Sequence, residues 1–156
     1  MQNWLSRFKS FLSQCLPHAQ PDQPASQESS VEVAFSLETT YLEKPRVVKI
    51  TTHGLLTTGA NSRLVAAGLA ASRQYGTDAI LVDHRDIEIG MDFVNVYDLP
   101  EHNRLLGVGP QLRVALLYSP SEQMSKIFRF YENCSVFRDF QHRVFTNEDE
   151  ALDWLA

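Results

Sequence analysis

Four consecutive residues, Asp83-His84-Arg85-Asp86, form the densest group of chemistry-bearing side chains in the chain. Acid, imidazole and guanidinium together could hold an anion or pass a proton. They follow the apolar run Ala79-Ile80-Leu81-Val82, so they stand at the carboxyl end of a strand, where sites in α/β sheets gather. His53, beside Gly54 at the end of another strand, joins them if the two strand ends lie side by side. The same residues also read as a solvated strand end whose charges cancel. No nucleophile lies beside them in sequence, which favours that second reading and argues against an enzyme.

Other chemistry is thinner. His53, His84 and Asp83 lack the tight ligand spacing of a metal site, and His18, His102 and His142 are scattered. No metal and no cofactor is expected. Gly107-Val108-Gly109-Pro110 lacks the third glycine and the strand-to-helix setting of a dinucleotide site, so it reads as a turn. Ser62, Ser119 and Ser121 have no nucleophile-elbow context and read as cap or turn residues. Asn133-Cys134-Ser135 matches a glycosylation acceptor only if the chain is secreted, and the N-terminus lacks the apolar core of a signal peptide.

The elements that must position these residues follow from periodicity. Val31–Glu38 alternates apolar and polar residues as a half-buried strand. Arg46–His53 is a second strand, joined to it through Tyr41–Pro45 as an antiparallel hairpin. Gly54–Gly59 is the turn out of it. A helix over about 60–75, rich in Ala and Gly, is capped by Thr57, Thr58 or Asn61 and closed by Gly76. Asp78–Asp83 has no alternation, so it is a central strand. Residues 87–97 fit neither period, and Asp98 with Glu101 reads as a capping pair, Pro100 in the first turn, for a helix to about Leu106. The last 45 residues are clearest: strand 112–118, a helix with Met124, Ile127, Phe128 and Tyr131 on its buried stripe, strand 142–145, and an acidic helix from Asn147 anchored by Leu152, Trp154 and Leu155. Strand, helix, strand, helix implies parallel pairing and an α/β domain.

The 156 residues, 44% hydrophobic and 21% charged, suit one globular domain with a real core. A net charge of −5 argues against nucleic acid as a partner. Arg7 and Lys9 make residues 1–20 +2, leaving −7 for the rest. Residues 1–16 hold an amphipathic helix with Trp4, Leu5, Phe8, Phe11, Leu12 and Leu16 on one stripe. Residues 17–30, with three prolines, form a flexible linker, and residues 31–156 form the α/β domain. The tethered helix docks on a protein partner, on a second copy of the chain or on a membrane surface. Two positive charges are few for lipid. Two distant cysteines and no membrane-length apolar run make the cytoplasm the expected location, with peripheral membrane contact left open.

The segment from Arg113-Val114-Ala115-Leu116 through Phe128 and Tyr131 to Val144-Phe145-Thr146-Asn147-Glu148-Asp149-Glu150-Ala151-Leu152-Asp153-Trp154-Leu155 resembles STAS-like proteins of the anti-sigma-factor antagonist (SpoIIAA-like) superfamily. Its nearest branch is one of small bacterial stand-alone proteins, many uncharacterised. Gly54-Leu55-Leu56-Thr57 and Asp83 are similar to that branch's earlier turn and strand-ending aspartate. The resemblance implies a four- or five-stranded mixed sheet with helices mainly on one face, and a regulatory or protein-interaction role without catalysis. Better-known members are phosphorylated on a serine after the third strand. Asp83–Glu88 contains no serine, so that switch is not expected here. The alternative is a small anionic or amphiphilic, lipid-like ligand at the strand carboxyl ends, held by His53, Asp83, His84, Arg85 and Asp86.

Overall fold

The computed structural model describes residues 34–156. The expected N-terminal helix, the linker and Val31–Val33 lie outside the described residues. Five strands form one sheet in the order β1-β2-β3-β4-β5. They are β1 (Ser36–Leu42), β2 (Val47–Leu56), β3 (Ala79–Ile89), β4 (Arg113–Leu117) and β5 (Gln141–Phe145). β1 runs antiparallel to β2 and the other pairs are parallel, so the sheet is mixed, as the resemblance implied. The helices are α1 (Thr58–Tyr75), α2 (Phe93–Leu105), α3 (Glu122–Phe137) and α4 (Glu148–Leu155).

Alternation along the strands builds a core on each face. Val48, Ile50, Ile80, Val82 and Leu116 share one core with Leu64 of α1, Leu99 of α2 and Phe128 of α3. Val47, Leu81, Ala115 and Leu117 share the other with Ala151 and Leu155 of α4, the one described helix on that face. Gly68 faces the sheet from α1, where a Cβ would just touch Ile50 and Ile80 at 3.4 Å. α2 is different. It packs against α1 and α3 rather than on the strands, and so spans the gap between them like a roof beam.

Three expectations need correction. β1 lies four residues later at its end than the alternation implied. Tyr41 and Leu42, read as connection, pair with Val48 and Val47, and Tyr41 stacks on Tyr75 at 4.3 Å. β2 does not end at His53: Gly54, Leu55 and Leu56 continue it opposite Ile87, Glu88 and Ile89. Gly54 holds φ +91°, and a Cβ there would meet the Ala34 carbonyl oxygen at 2.5 Å, so this glycine serves a close approach to the backbone just before β1 rather than a turn. α2 begins at Phe93, not near Asp98. Asp92 Oδ1 accepts from Asn95 N at 2.8 Å and Asn95 Oδ1 accepts from Asp92 N at 3.3 Å, a reciprocal cap that outranks the Asp98–Glu101 pairing. Pro100 therefore stands inside the helix, fully buried.

The remaining caps follow the sequence. Thr57 accepts from Ala60 N at 3.1 Å, Ser121 from Met124 N at 3.1 Å and Asn147 from Glu150 N at 3.1 Å, each satisfying one free helix-end N–H. Gly76 closes α1 at φ +59°.

Candidate functional site

β3 does not end at Asp83. It runs six residues further, paired there with β2 only, because β4 stops opposite Asp83 at Leu117. Thr51 pairs with Asp83 and His53 with Asp86, so β3 carries one extra residue at this point, a bulge. The bulge and the strand alternation divide the five candidate residues among three settings.

Asp83 and Arg85 face α4. Arg85 donates from Nε to Asp83 Oδ1 at 2.9 Å and from Nη2 to Oδ2 at 2.6 Å, and its backbone N–H donates to the same carboxylate at 3.2 Å. Arg85 Nη2 also reaches Glu148 at 3.0 Å, and Lys49 Nζ bonds Glu148 and lies 3.8 Å from Asp83. Burial on its own would raise the Asp83 carboxyl. The Arg85 hydrogen bonds and then the Lys49 charge overcome it and hold the group below the usual carboxylate range. Two cations and two anions thus neutralise one another. Arg85 is held by carboxylates on both sides, so an approaching anion would have to displace one of them.

His84 points the other way, under the helices. It is 3% exposed, its ring 5.8 Å from that of Phe128. Thr52 Oγ1 donates its one proton to the Asp83 carbonyl at 2.9 Å and lies 2.7 Å from His84 Nδ1. Both contacts are satisfied together only when Nδ1 carries the proton, which leaves Nε2 a bare acceptor. Burial pushes His84 down to about 4, so the ring is neutral at pH 7. His53 and Asp86 form the third setting, an exposed pair at 2.6 Å.

A buried polar chain escaped the sequence reading. Asn61 Nδ2 donates to Asn103 Oδ1 at 2.8 Å, and Asn103 Nδ2 donates to the Tyr131 hydroxyl at 3.2 Å. That hydroxyl lies 2.9 Å from His142 Nδ1. Tyr131 and His142 Nδ1 thus share one hydrogen bond, which leaves the ring's other nitrogen, Nε2, to be accounted for. That nitrogen is buried and has no partner among the described residues. Burial pushes Tyr131 up to about 12 and His142 down to about 4. The four residues come from α1, α2, α3 and β5, so no local spacing joins them. The legible signal was polar residues on apolar helix stripes: Asn61 with Leu64 and Gly68, Asn103 with Val96 and Leu99.

Above the sheet, beneath α2, lies a cavity of about 90 Å³ whose walls include Ile50, Leu64, Val82 and Met91 as well as His84 and His142. Outside, the α2–α3 surface is aromatic. Phe93, 53% exposed, packs edge-on to Phe130 at 5.3 Å. Arg138 lies 4.5 Å over the exposed Tyr97 ring, and Phe137 beside it is 87% exposed. Among the described residues no three of His, Cys, Asp and Glu converge as metal ligands, and no helix is long and apolar enough to cross a membrane.

No family model matches the chain, and no curated protein matches it in sequence. Solved structures do match in fold. One is an anti-sigma factor antagonist from Mycobacterium paratuberculosis, with TM-score 0.53 and 13% identity over 78% of this chain and 94% of that one. Another is an uncharacterized protein of the DUF3478 family with a SpoIIAA-like fold from Shewanella loihica PV-4, with TM-score 0.52 and 16% identity over 80% of this chain and 95% of that one. The described domain thus shares the SpoIIAA-like fold, the architecture expected from the C-terminal resemblance.

Proposed function

We propose that this protein is a non-catalytic regulatory module that acts by contact with another protein. The observation that carries this reading is the aromatic surface of α2 and α3, where Phe93, Tyr97 and Phe137 are all more than half exposed. A soluble domain gains nothing in stability by holding three aromatic rings in water, and such surfaces mark contact sites. The charged cluster fits the same reading, since its four groups are spent on one another rather than poised for a reaction. A SpoIIAA-like fold shared with an anti-sigma factor antagonist supports it as well, by analogy of architecture. The link from β3 to α2, Gly90-Met91-Asp92, has no hydroxyl side chain, so the regulation works through binding rather than phosphorylation there.

The N-terminal stripe of Trp4, Leu5, Phe8, Phe11, Leu12 and Leu16 supplies a second contact, tethered by residues 17–30. It docks on a partner, a second copy or a membrane surface. The test compares the full chain, a chain lacking residues 1–20 and the full chain carrying Phe93→Ser, Tyr97→Ser and Phe137→Ser. Light scattering gives solution mass and flotation gives partition onto anionic vesicles. The expected result is association by the full chain, lost in one or both variants while their circular dichroism is unchanged. Equal mass and equal partition for all three would remove the basis of the proposal.

A further inference from the structure

The cavity under α2 has a physical cause. α2 rests on α1 and α3 at its sides and makes no broad contact with the sheet below it. Its position is set by the Asp92 cap at one end and by the Asn61–Asn103–Tyr131 chain near the other. The space left beneath is about 90 Å³, several times what one water needs and somewhat less than an apolar cavity that takes benzene. Its lining contains no aspartate, glutamate, lysine or arginine.

The polar groups in the lining are not all satisfied. His84 has Nδ1 committed to Thr52, and Nε2 makes no hydrogen bond to the protein among the described residues. A buried acceptor without a donor is costly, and native structures seldom leave one so. Water is a poor solution, because the lining is mainly hydrocarbon and its other polar side chains, Asn61, Asn103 and Tyr131, are already bonded to one another, so a water would find few of the partners it needs. An ion is a worse one, since nothing in the lining could pair its charge after dehydration.

We propose that this cavity binds one small uncharged molecule, largely hydrocarbon, that donates a hydrogen bond from a hydroxyl or amide N–H to His84 Nε2. The size admits a guest smaller than benzene, of about four or five non-hydrogen atoms. Leu64, Met91 and Ile127 enclose its apolar part. The inference is independent of the regulatory reading, which rests on the outer face of α2 and not on the space beneath it.

The test uses the isotope-labelled full chain and three probes of one shape: cyclobutanol, cyclobutane and cyclobutylammonium. Cyclobutanol is expected to shift the methyl resonances of Leu64, Met91 and Ile127 and to bind about fivefold tighter than cyclobutane, the worth of one hydrogen bond. The ammonium is expected to leave them unmoved. In His84→Phe, which keeps a flat ring in place of the imidazole, alcohol and hydrocarbon should bind equally. In the unaltered protein the His84 Nε2 nitrogen resonance should move upfield on saturation with cyclobutanol, a readout that needs no variant. Absent methyl shifts with both neutral probes would overturn the proposal. So would equal binding of ammonium and alcohol, an alcohol preference that survives His84→Phe, or an Nε2 resonance that does not move.

Discussion

Acidification is expected to unfold this domain through two histidines on the helical side of its sheet. Burial pushes His84 and His142 down to about 4 in the folded protein, against an ordinary 6.5. Between those values the unfolded chain binds two protons that the folded chain refuses, so stability falls as pH falls. Each pKa unit corresponds to about 1.4 kcal/mol, which gives a loss of roughly 2 kcal/mol per histidine by pH 5 and about 3 by pH 4. For both rings together the loss is about 4 kcal/mol at pH 5, a large share of a small domain's stability. Asp83 acts in the same direction at lower pH. Its folded carboxyl is depressed, so its contribution is intact above the unfolded value of 3.8 and disappears only as pH drops through the folded one. Urea unfolding followed by far-ultraviolet circular dichroism at pH 7.5, 6.0 and 5.0 measures the slope. His84→Phe should flatten it by about half, since one of the two titrating rings is then gone. A stability that changes by less than about 1 kcal/mol between pH 7.5 and 5.0 would refute the assignment of both rings as buried and neutral.

Further outcomes follow from single positions. Gly54→Ala should destabilise by about 2 kcal/mol or more, from the positive φ and the Ala34 carbonyl in its path, whereas Gly59→Ala in the open first turn of α1 should be neutral or stabilise by up to about 1 kcal/mol. Chemical denaturation of the two variants in parallel checks the contrast. Asp83→Asn should cost about 1–3 kcal/mol because it leaves Arg85 and Lys49 facing one carboxylate. Glu148→Gln, at the more exposed corner of the same cluster, should cost under about 1 kcal/mol. Leu155→Ala should cost about 2–5 kcal/mol, since Leu155 is fully buried in the core between α4 and the sheet, while Phe137→Ser should change stability by less than about 0.5 kcal/mol. Thermal melts of this pair give the ranking directly.

The C-terminal half was readable because each of its elements carries its own stop and start. Pro110 and Pro120 bracket β4, Ser121 and Asn147 cap the helices after β4 and β5, and both apolar stripes face where their periods point. The failures have equally particular causes. Asp83–Asp86 looked like a chain leaving a sheet because four polar residues in a row leave no apolar alternation to see. A one-residue bulge and a helix on each face let Asp83 and His84 be buried in opposite directions instead. Pro100 pulled the expected start of α2 six residues too late, from Asp92 to Asp98 at the cap, since proline at a first turn is the commoner arrangement. The Asp92–Asn95 cap was stronger evidence and lay within a stretch with no clear period. The Asn61–His142 chain joins four elements, and only the assembled fold brings them into contact.

The protruding half of β3 has one neighbour where the first half has two. From Asp86 to Ile89 its one strand partner among the described residues is β2, and Gly90 N–H to the Leu56 carbonyl at 2.9 Å is the last rung before α2 departs. A ladder clamped on a single side yields first when it is flexed, so deuterium should enter these amides well ahead of those from Ile80 to Val82. The rigid sheet thus ends in a pliable tongue, and the roof helix is hinged to its tip.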